Sequence, residues 1–276
     1  MTVINTNVSA LKARLSGQIA NQEVDTAALR LSSGKRLNFG ADDAAGAAVF
    51  IKMNAQLEGQ KAAVKTASDA LSLLQIQETA VEQFINITHR IKELGVQMAN
   101  GTYSGTDRAL ADLEADQLVQ QFQMVAANTR FNELEVVNGA SFAPPDTYTI
   151  QVGPNVSDTF TVDITPGAIF STLLPLDVDL STQASAATTF DRTISILDTM
   201  TQQQATIGAA INRMMASINN LSSAAVKTED AIGRVIDTDF AIESAKLAKH
   251  QILSQSSNQM LSIANQSKDL LAQLFQ

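Results

Sequence analysis

The stretch LSQSSNQMLSIANQSKDLLAQL, Leu253 to Leu274, decides the fold. Leu253, Ser256, Met260, Ile263, Ser267, Leu270 and Leu274 step by three and four in turn, a heptad seam with two small polar members. Such a helix needs a partner. The other end of the chain offers one, because Val8, Leu11, Leu15 and Ile19 recur at the same helical spacing between Asn5 and about Leu31. Both seams are narrower than the face of a helix packed into a globular core. Alone, each is marginal in water, since helix nucleation is unfavourable and the seam stays wet. The first thirty or so residues are therefore expected to pair with the last thirty or so, closing the molecule end to end.

That pair still leaves apolar surface. Burying a Leu-sized side chain stabilises by about 1.5 to 3 kcal/mol, while ordering costs about 1 to 2 kcal/mol per residue of backbone. With a seam residue only every three or four positions, the ends are expected to be disordered in the free subunit and to order when neighbouring copies add surface. That is the behaviour of a polymer subunit.

Working inward, RLSSGKRLNFG from Arg30 to Gly40 reads as a break, with Asp42 or Asp43 capping the helix that follows. That helix carries Val64, Ala67, Leu71, Leu74 and Val81, then after a one-residue slip Phe84, Ile87, Ile91, Leu94 and Met98. At 1.5 Å per residue a run from Asp43 to Met98 would reach about 80 Å, so a rod is expected. NGTYSG from Asn100 to Gly105 is a turn, and a third helix with Leu110, Leu113, Leu118, Phe122 and Val125 folds back antiparallel. Between Asn138 and about Ala184 the period changes to two. Tyr148, Ile150 and Val152 alternate, GPNVSD turns, and Phe160, Val162 and Ile164 alternate again, which predicts a β-hairpin. All five prolines lie in this stretch. A fourth helix carries Phe190, Ile194, Leu197, Ile211, Met215 and Ile218 to about Val226. The fold class expected is mainly α: long antiparallel helices forming an elongated rod and a terminal coiled coil, with a small β-hairpin insert.

Composition agrees and excludes several functions. The 276 residues are 45% hydrophobic and 17% charged, enough to fold, and with 5% aromatic residues the packing must be mostly Ala, Leu, Ile, Val and Met. A net charge of -9 and a pI near 4.7 argue against nucleic acid or an anionic membrane surface as partner. With no Cys there is no disulfide, thiolate metal site or Cys nucleophile. No apolar run approaches the roughly 20 residues needed to cross a bilayer, and the amino terminus does not read as a cleavable signal. Asp42 and Asp43 are better read as a helix cap than as a catalytic pair, and His89 and His250 lack the spacing of a zinc site. The Gly-Lys pair in RLSSGKRL lacks the earlier glycine of a phosphate loop. No enzyme constellation and no cofactor is read from the residues.

The motifs VINTN (Val3 to Asn7), RLSSGKRLN (Arg30 to Asn38), DDAAG (Asp42 to Gly46), ELGVQMANGT (Glu93 to Thr102) and TRFNELEVVNG (Thr129 to Gly139) resemble those of bacterial flagellins of the short type. IQVGPN (Ile150 to Asn155), INRMMASINNL (Ile211 to Leu221), IDTDFAIESAKLAKHQIL (Ile236 to Leu253) and ANQS (Ala264 to Ser267) continue the likeness in order. The resemblance implies a structural subunit that polymerises noncovalently into the flagellar filament for motility. It implies residues 1–41 and 235–276 as a coiled-coil domain lining the filament core, 42–138 and 185–234 as a helical rod domain, and 139–184 as a hairpin insert without a large outer domain. Val8, Leu11, Leu15, Ile19, Leu253, Met260, Ile263, Leu270 and Leu274 would then be the subunit-packing residues.

Further implications are secretion through the flagellum's own type III apparatus to an extracellular filament, and partners in an export chaperone, a filament cap and hook-junction proteins. An animal Toll-like receptor is also implied, through Arg90, Leu94 and Glu114 on the rod helices. The chain departs from the pattern at His89, where Gln is usual, at Gly95, where Ala is usual, and at Lys268, where many relatives have Pro. A hook-filament junction protein of the same family is the alternative. A helical signalling rod is the rival from another class, disfavoured by the hairpin and the lack of a membrane span.

Overall fold

The computed structural model describes residues 6–132, 134–137, 147–163 and 178–273. Among them are five helices: α1 (Val8–Ser33), α2 (Ala44–Met98), α3 (Gly105–Asn128), α4 (Gln183–Ile236) and α5 (Phe240–Gln273). Two antiparallel two-stranded ladders complete the description, β1 (Arg130–Phe131) with β2 (Leu134–Glu135) and β3 (Thr147–Gln151) with β4 (Thr159–Asp163). The mainly α class with a small hairpin is as expected. Packing divides the chain into two compact units, Met1–Ala55 with Lys227–Gln276, and Gln56–Val226.

In the first unit the helix ends are set by local chemistry. Asn7 caps α1, its Oδ1 accepting from the Ala10 amide at 3.0 Å, and Gly34 ends the helix in the left-handed conformation at φ 69°. Of the two aspartates, Asp43 is the cap of α2, accepting from the Gly46 amide at 2.9 Å. Asp42 instead ties the preceding loop, accepting from the amides of Asn38 and Phe39, each at 3.0 Å. Those two amides hold its carboxyl below the usual Asp range. The fourth helix continues past Val226 to Ile236, and α5 starts anew at Phe240 with the Asp239 carboxylate accepting from the amides of Ala241 and Ile242. The two breaks are bound to each other. Lys35 bridges Asp237 antiparallel, the Arg36 amide donates to Ile236 O at 2.6 Å, and the Thr238 amide donates to Gly34 O at 3.1 Å.

In the second unit α2, α3 and α4 surround one apolar core. Gln60, Ala67, Leu74, Val81, Thr88 and Gly95 are all buried at seven-residue spacing, so one line of α2 faces inward throughout. Ala63 and Gln77 are already buried on the side of Phe84, Ile91 and Met98, and beyond Leu74 the buried arc widens further that way to take in Ala80, Ile87 and Leu94. This is the drift of a 3.6-residue turn against a seven-residue repeat, and it is what the one-residue slip in the sequence reflects. Phe84 is fully buried and stacks on Phe122 of α3, ring centroids 4.0 Å apart. The predicted α3 stripe holds at Leu118, Phe122 and Val125 and needs correction at its start: Leu110 and Leu113 are exposed, and Ala111 and Ala115 face the core there, since small residues let α3 approach closely.

The β3–β4 hairpin forms where the alternation placed it, with Ile150 opposite Phe160 and Tyr148 opposite Val162. Ile164 and the prolines other than Pro154 lie outside the described residues, as do Val3, Asn138 and Gly139 of the motifs. Phe160 and Val162 are buried, and the Arg213 guanidinium of α4 lies 4.4 Å from the Phe160 ring centroid. The hairpin turn rests on α2 at Gly59, where a Cβ would come within 2.8 Å of the Pro154 Cβ. Gly59→Val is therefore expected to lift the turn and destabilise this unit by about 1 to 3 kcal/mol, read as a lower midpoint in urea unfolding. The β1–β2 ladder was not foreseen. It turns at Asn132, which takes φ 49°, and delivers Val136 and Val137 into the core, where Val136 O accepts from Gln77 Nε2 at 2.9 Å.

Candidate assembly surfaces

The terminal helices do pair, and they do so antiparallel along their length. Three polar contacts mark the register: Asn7 Nδ2 donates to Ala264 O at 3.0 Å, Ser254 Oγ to Asn21 Oδ1 at 2.7 Å, and Arg30 Nη1 lies 3.5 Å from Glu243 Oε1. Glu243 is buried and also receives Lys246 Nζ at 3.1 Å, so its charge is neutralised from both helices.

The faces that meet are not the ones the seams suggested. On α1 the buried and half-buried line is Ala10, Ala13, Gly17, Ala20, Val24, Ala27 and Leu31, a heptad line of mostly small residues. On α5 it is Glu243, Leu247, His250, Ser254, Ser257, Leu261, Ala264 and Lys268. Gly17 sits against Ser257, whose Cβ would lie 3.4 Å from a Cβ added there. The seam read from Leu253, Ser256, Met260 and Ile263 runs one residue before this line, about 100° round the helix. On α1 the reason is size: Ala10, Ala13, Gly17, Ala20 and Ala27 let the backbones approach closely, and Leu247 and Leu261 of α5 pack against that low surface.

The large apolar side chains are consequently left on the outside. Val8, Leu11, Leu15, Ile19, Leu253, Met260 and Ile263 are each between 43% and 59% exposed. Leu270 and Leu274 lie outside the described side chains. A groove of about 510 Å³ beside the pair is walled by Lys12, Ser16, Leu253, Ser256, Met260 and Ile263 among others. Each terminal helix thus has two working faces. One is small and used within the chain; the other is large, apolar and wet. Phe39, Phe240 and Ile242 near the helix breaks are exposed too.

Of the rod residues, Arg90 Nη2 and Glu114 Oε1 meet at 2.7 Å across α2 and α3, and Arg90 Nη1 contacts Glu93 at 3.1 Å. Hydrogen bonds to Glu114 and then Glu93 hold the Arg90 guanidinium still more firmly protonated. The group is exposed, so the pair itself stabilises little. Leu94 is 3% exposed and belongs to the core. The structure therefore separates it from Arg90 and Glu114: its side chain is not presented at the surface. Among the described residues there is no group of three or more His, Cys, Asp or Glu able to hold a metal. No described helix is long and apolar enough to cross a membrane.

Two family models match in chain order, the bacterial flagellin N-terminal helical region over residues 4–141 and the C-terminal helical region over residues 192–275. A flagellin of Halalkalibacterium halodurans is 33% identical over 275 residues, covering 99% of both chains. A flagellin of Listeria monocytogenes is 30% identical over 287 residues, covering 98% of both. A flagellar filament core protein of Brachyspira hyodysenteriae is 33% identical, covering 95% of this chain and 96% of its own. Among solved structures, Bacillus cereus flagellin superposes with a TM-score of 0.51 at 28% identity, over 57% of this chain and 88% of that one. Motif order, end-to-end likeness and paired terminal helices agree: the chain belongs to the bacterial flagellin family.

Proposed function

We propose that this chain is the repeating subunit of a bacterial flagellar filament, polymerising noncovalently, and that residues 1–41 and 235–276 form its inner-core domain. The observation that carries the reading is the second face of the terminal pair. Seven large apolar side chains on α1 and α5 stay open to water in a chain that has buried its small-residue face. Contacts between different faces of successive copies join them head to tail, and where such contacts do not close into a ring they give a fibre. Residues 42–138 and 185–234 are assigned to the rod domain, and 139–184 to the hairpin insert. The protein works structurally and not by catalysis.

Secretion through the flagellar export apparatus to the extracellular filament goes with this role, as do an export chaperone, a filament cap and hook-junction proteins as partners. For a Toll-like receptor, the exposed Arg90–Glu114 pair supports contact, while Leu94 would act from beneath it.

Seeding purified subunits with filament fragments tests the function. Long polymers that sediment and show as tubes in negative stain are expected; short rings would favour a hook-filament junction protein, and no polymer would refute both. A second outcome follows from the thin apolar content of the α1–α5 contact. In the soluble subunit, amides of residues 6–33 are expected to exchange far faster than those of α2 around Phe84, and to become protected in the polymer. Strong protection of α1 before assembly would contradict the coupling of order to assembly.

A further inference from the structure

We propose that Met260 is a modification site for peroxide-class oxidants, and that its sulfoxide excludes the subunit from filament growth; this rests on the filament reading above. The structure sorts the methionines by access. Met98, Met200 and Met214 are buried in the helical core, whereas Met260, Met124 and Met215 are 58%, 60% and 42% exposed. Exposed thioethers react first with peroxides. Of these three, Met260 alone stands on the terminal pair, in line with Leu253 and Ile263 and on the wall of the same groove.

The chemistry is a two-electron oxygen transfer. A lone pair on the Met260 sulfur attacks the outer oxygen of hydrogen peroxide and the O–O bond breaks. The proton on the transferred oxygen passes to the departing hydroxide, giving water and the sulfoxide. Sulfur is oxidised and the peroxide reduced, with no further reactant. A flexible apolar side chain becomes a polar one carrying a strong acceptor.

On the free subunit that acceptor is hydrated and costs nothing. When a second copy covers the seam, the water must leave, and the sulfoxide oxygen needs a donor in its place. Ser267 on the wall already donates to Ala264 O at 2.9 Å, and a donor from Lys12, Ser16 or Ser256 would have to turn into the contact that Leu253 and Ile263 make apolar. The loss falls on an interface repeated at every subunit, so oxidised copies should compete poorly for the growing end. The effect also has a direction in time. A copy already incorporated has Met260 covered, so the oxidant acts before incorporation and the finished polymer is shielded.

Partial oxidation with hydrogen peroxide, followed by seeded growth, pelleting and peptide mapping of both fractions, tests this on the full chain. The sulfoxide at Met260 is expected to be depleted at least about tenfold from the pellet relative to the supernatant, and more strongly than the sulfoxides at Met124 and Met215. Methionine sulfoxide reductase should return the excluded fraction to pelleting. Circular dichroism should show the oxidised subunit as helical as the untreated one. Equal sulfoxide at Met260 in both fractions, equal depletion at all three methionines, or loss of helix on oxidation would overturn the proposal while leaving the filament reading intact. Untreated subunit that fails to pellet with seeds would remove both together.

Discussion

Leu11→Asp combined with Leu15→Asp is expected to abolish seeded polymer growth while leaving the second unit folded. Both side chains are more than half exposed on the outer face of α1, and neither belongs to the small-residue line that meets α5. Each Leu is already nearly half covered, so burying the rest in the polymer stabilises by about 0.8 to 1.7 kcal/mol, and an Asp in its place adds the larger penalty, several kcal/mol, of a charge desolvated without a partner. Two such losses per interface correspond to at least about a thousandfold rise in the critical concentration, since 1.4 kcal/mol is a factor of ten. Sedimentation across a concentration series reads this directly. The matching control is thermal melting of the second unit, which contains neither residue. If the double variant grows filaments at the wild-type concentration, the outer face of α1 is not an assembly surface.

Phe84→Ala should have the opposite signature, a large loss of stability. Phe84 is fully buried and stacked on Phe122, with α2, α3 and α4 contributing to the core around it. Removing the ring loses its transfer free energy and leaves a cavity that three long helices cannot easily close. A destabilisation of about 3 to 5 kcal/mol is expected, measured as a fall in the urea midpoint. A shift below about 1 kcal/mol would mean that the stack contributes little.

Much of this was legible in the sequence, and the exceptions share a cause. The break at Gly34, the Asp cap and the β-hairpin all follow from local chemistry that a few residues carry by themselves, whereas the fourth helix, expected to end near Val226, runs on to Ile236. Which face of a helix meets its neighbour does not. At Leu110 and Leu113, as on α1 and α5, the conspicuous apolar residues stay outside, and a neighbouring line one or two positions away, richer in Ala, Gly and Ser, makes the contact. Periodicity finds two such lines on one helix equally well; only tertiary packing selects between them, and it selects for close approach. The Leu and Met line that loses this choice is the candidate assembly surface, so the misreading of the pair and the reading of the assembly have one origin. Leu94 is buried as its place in the α2 stripe with Phe84, Ile87, Ile91 and Met98 indicates, and it is the implied surface contact that the structure does not present. The β1–β2 ladder escaped because two-residue strands have no period to detect.

The tie at Lys35 and Asp237 has a mechanical consequence. Because the amides of Arg36 and Thr238 reach across to Ile236 O and Gly34 O, neither terminal helix can swivel about its own axis without dragging the other. A twisting load applied at one crossing is shared by both strands of the polypeptide, as in a braced joint.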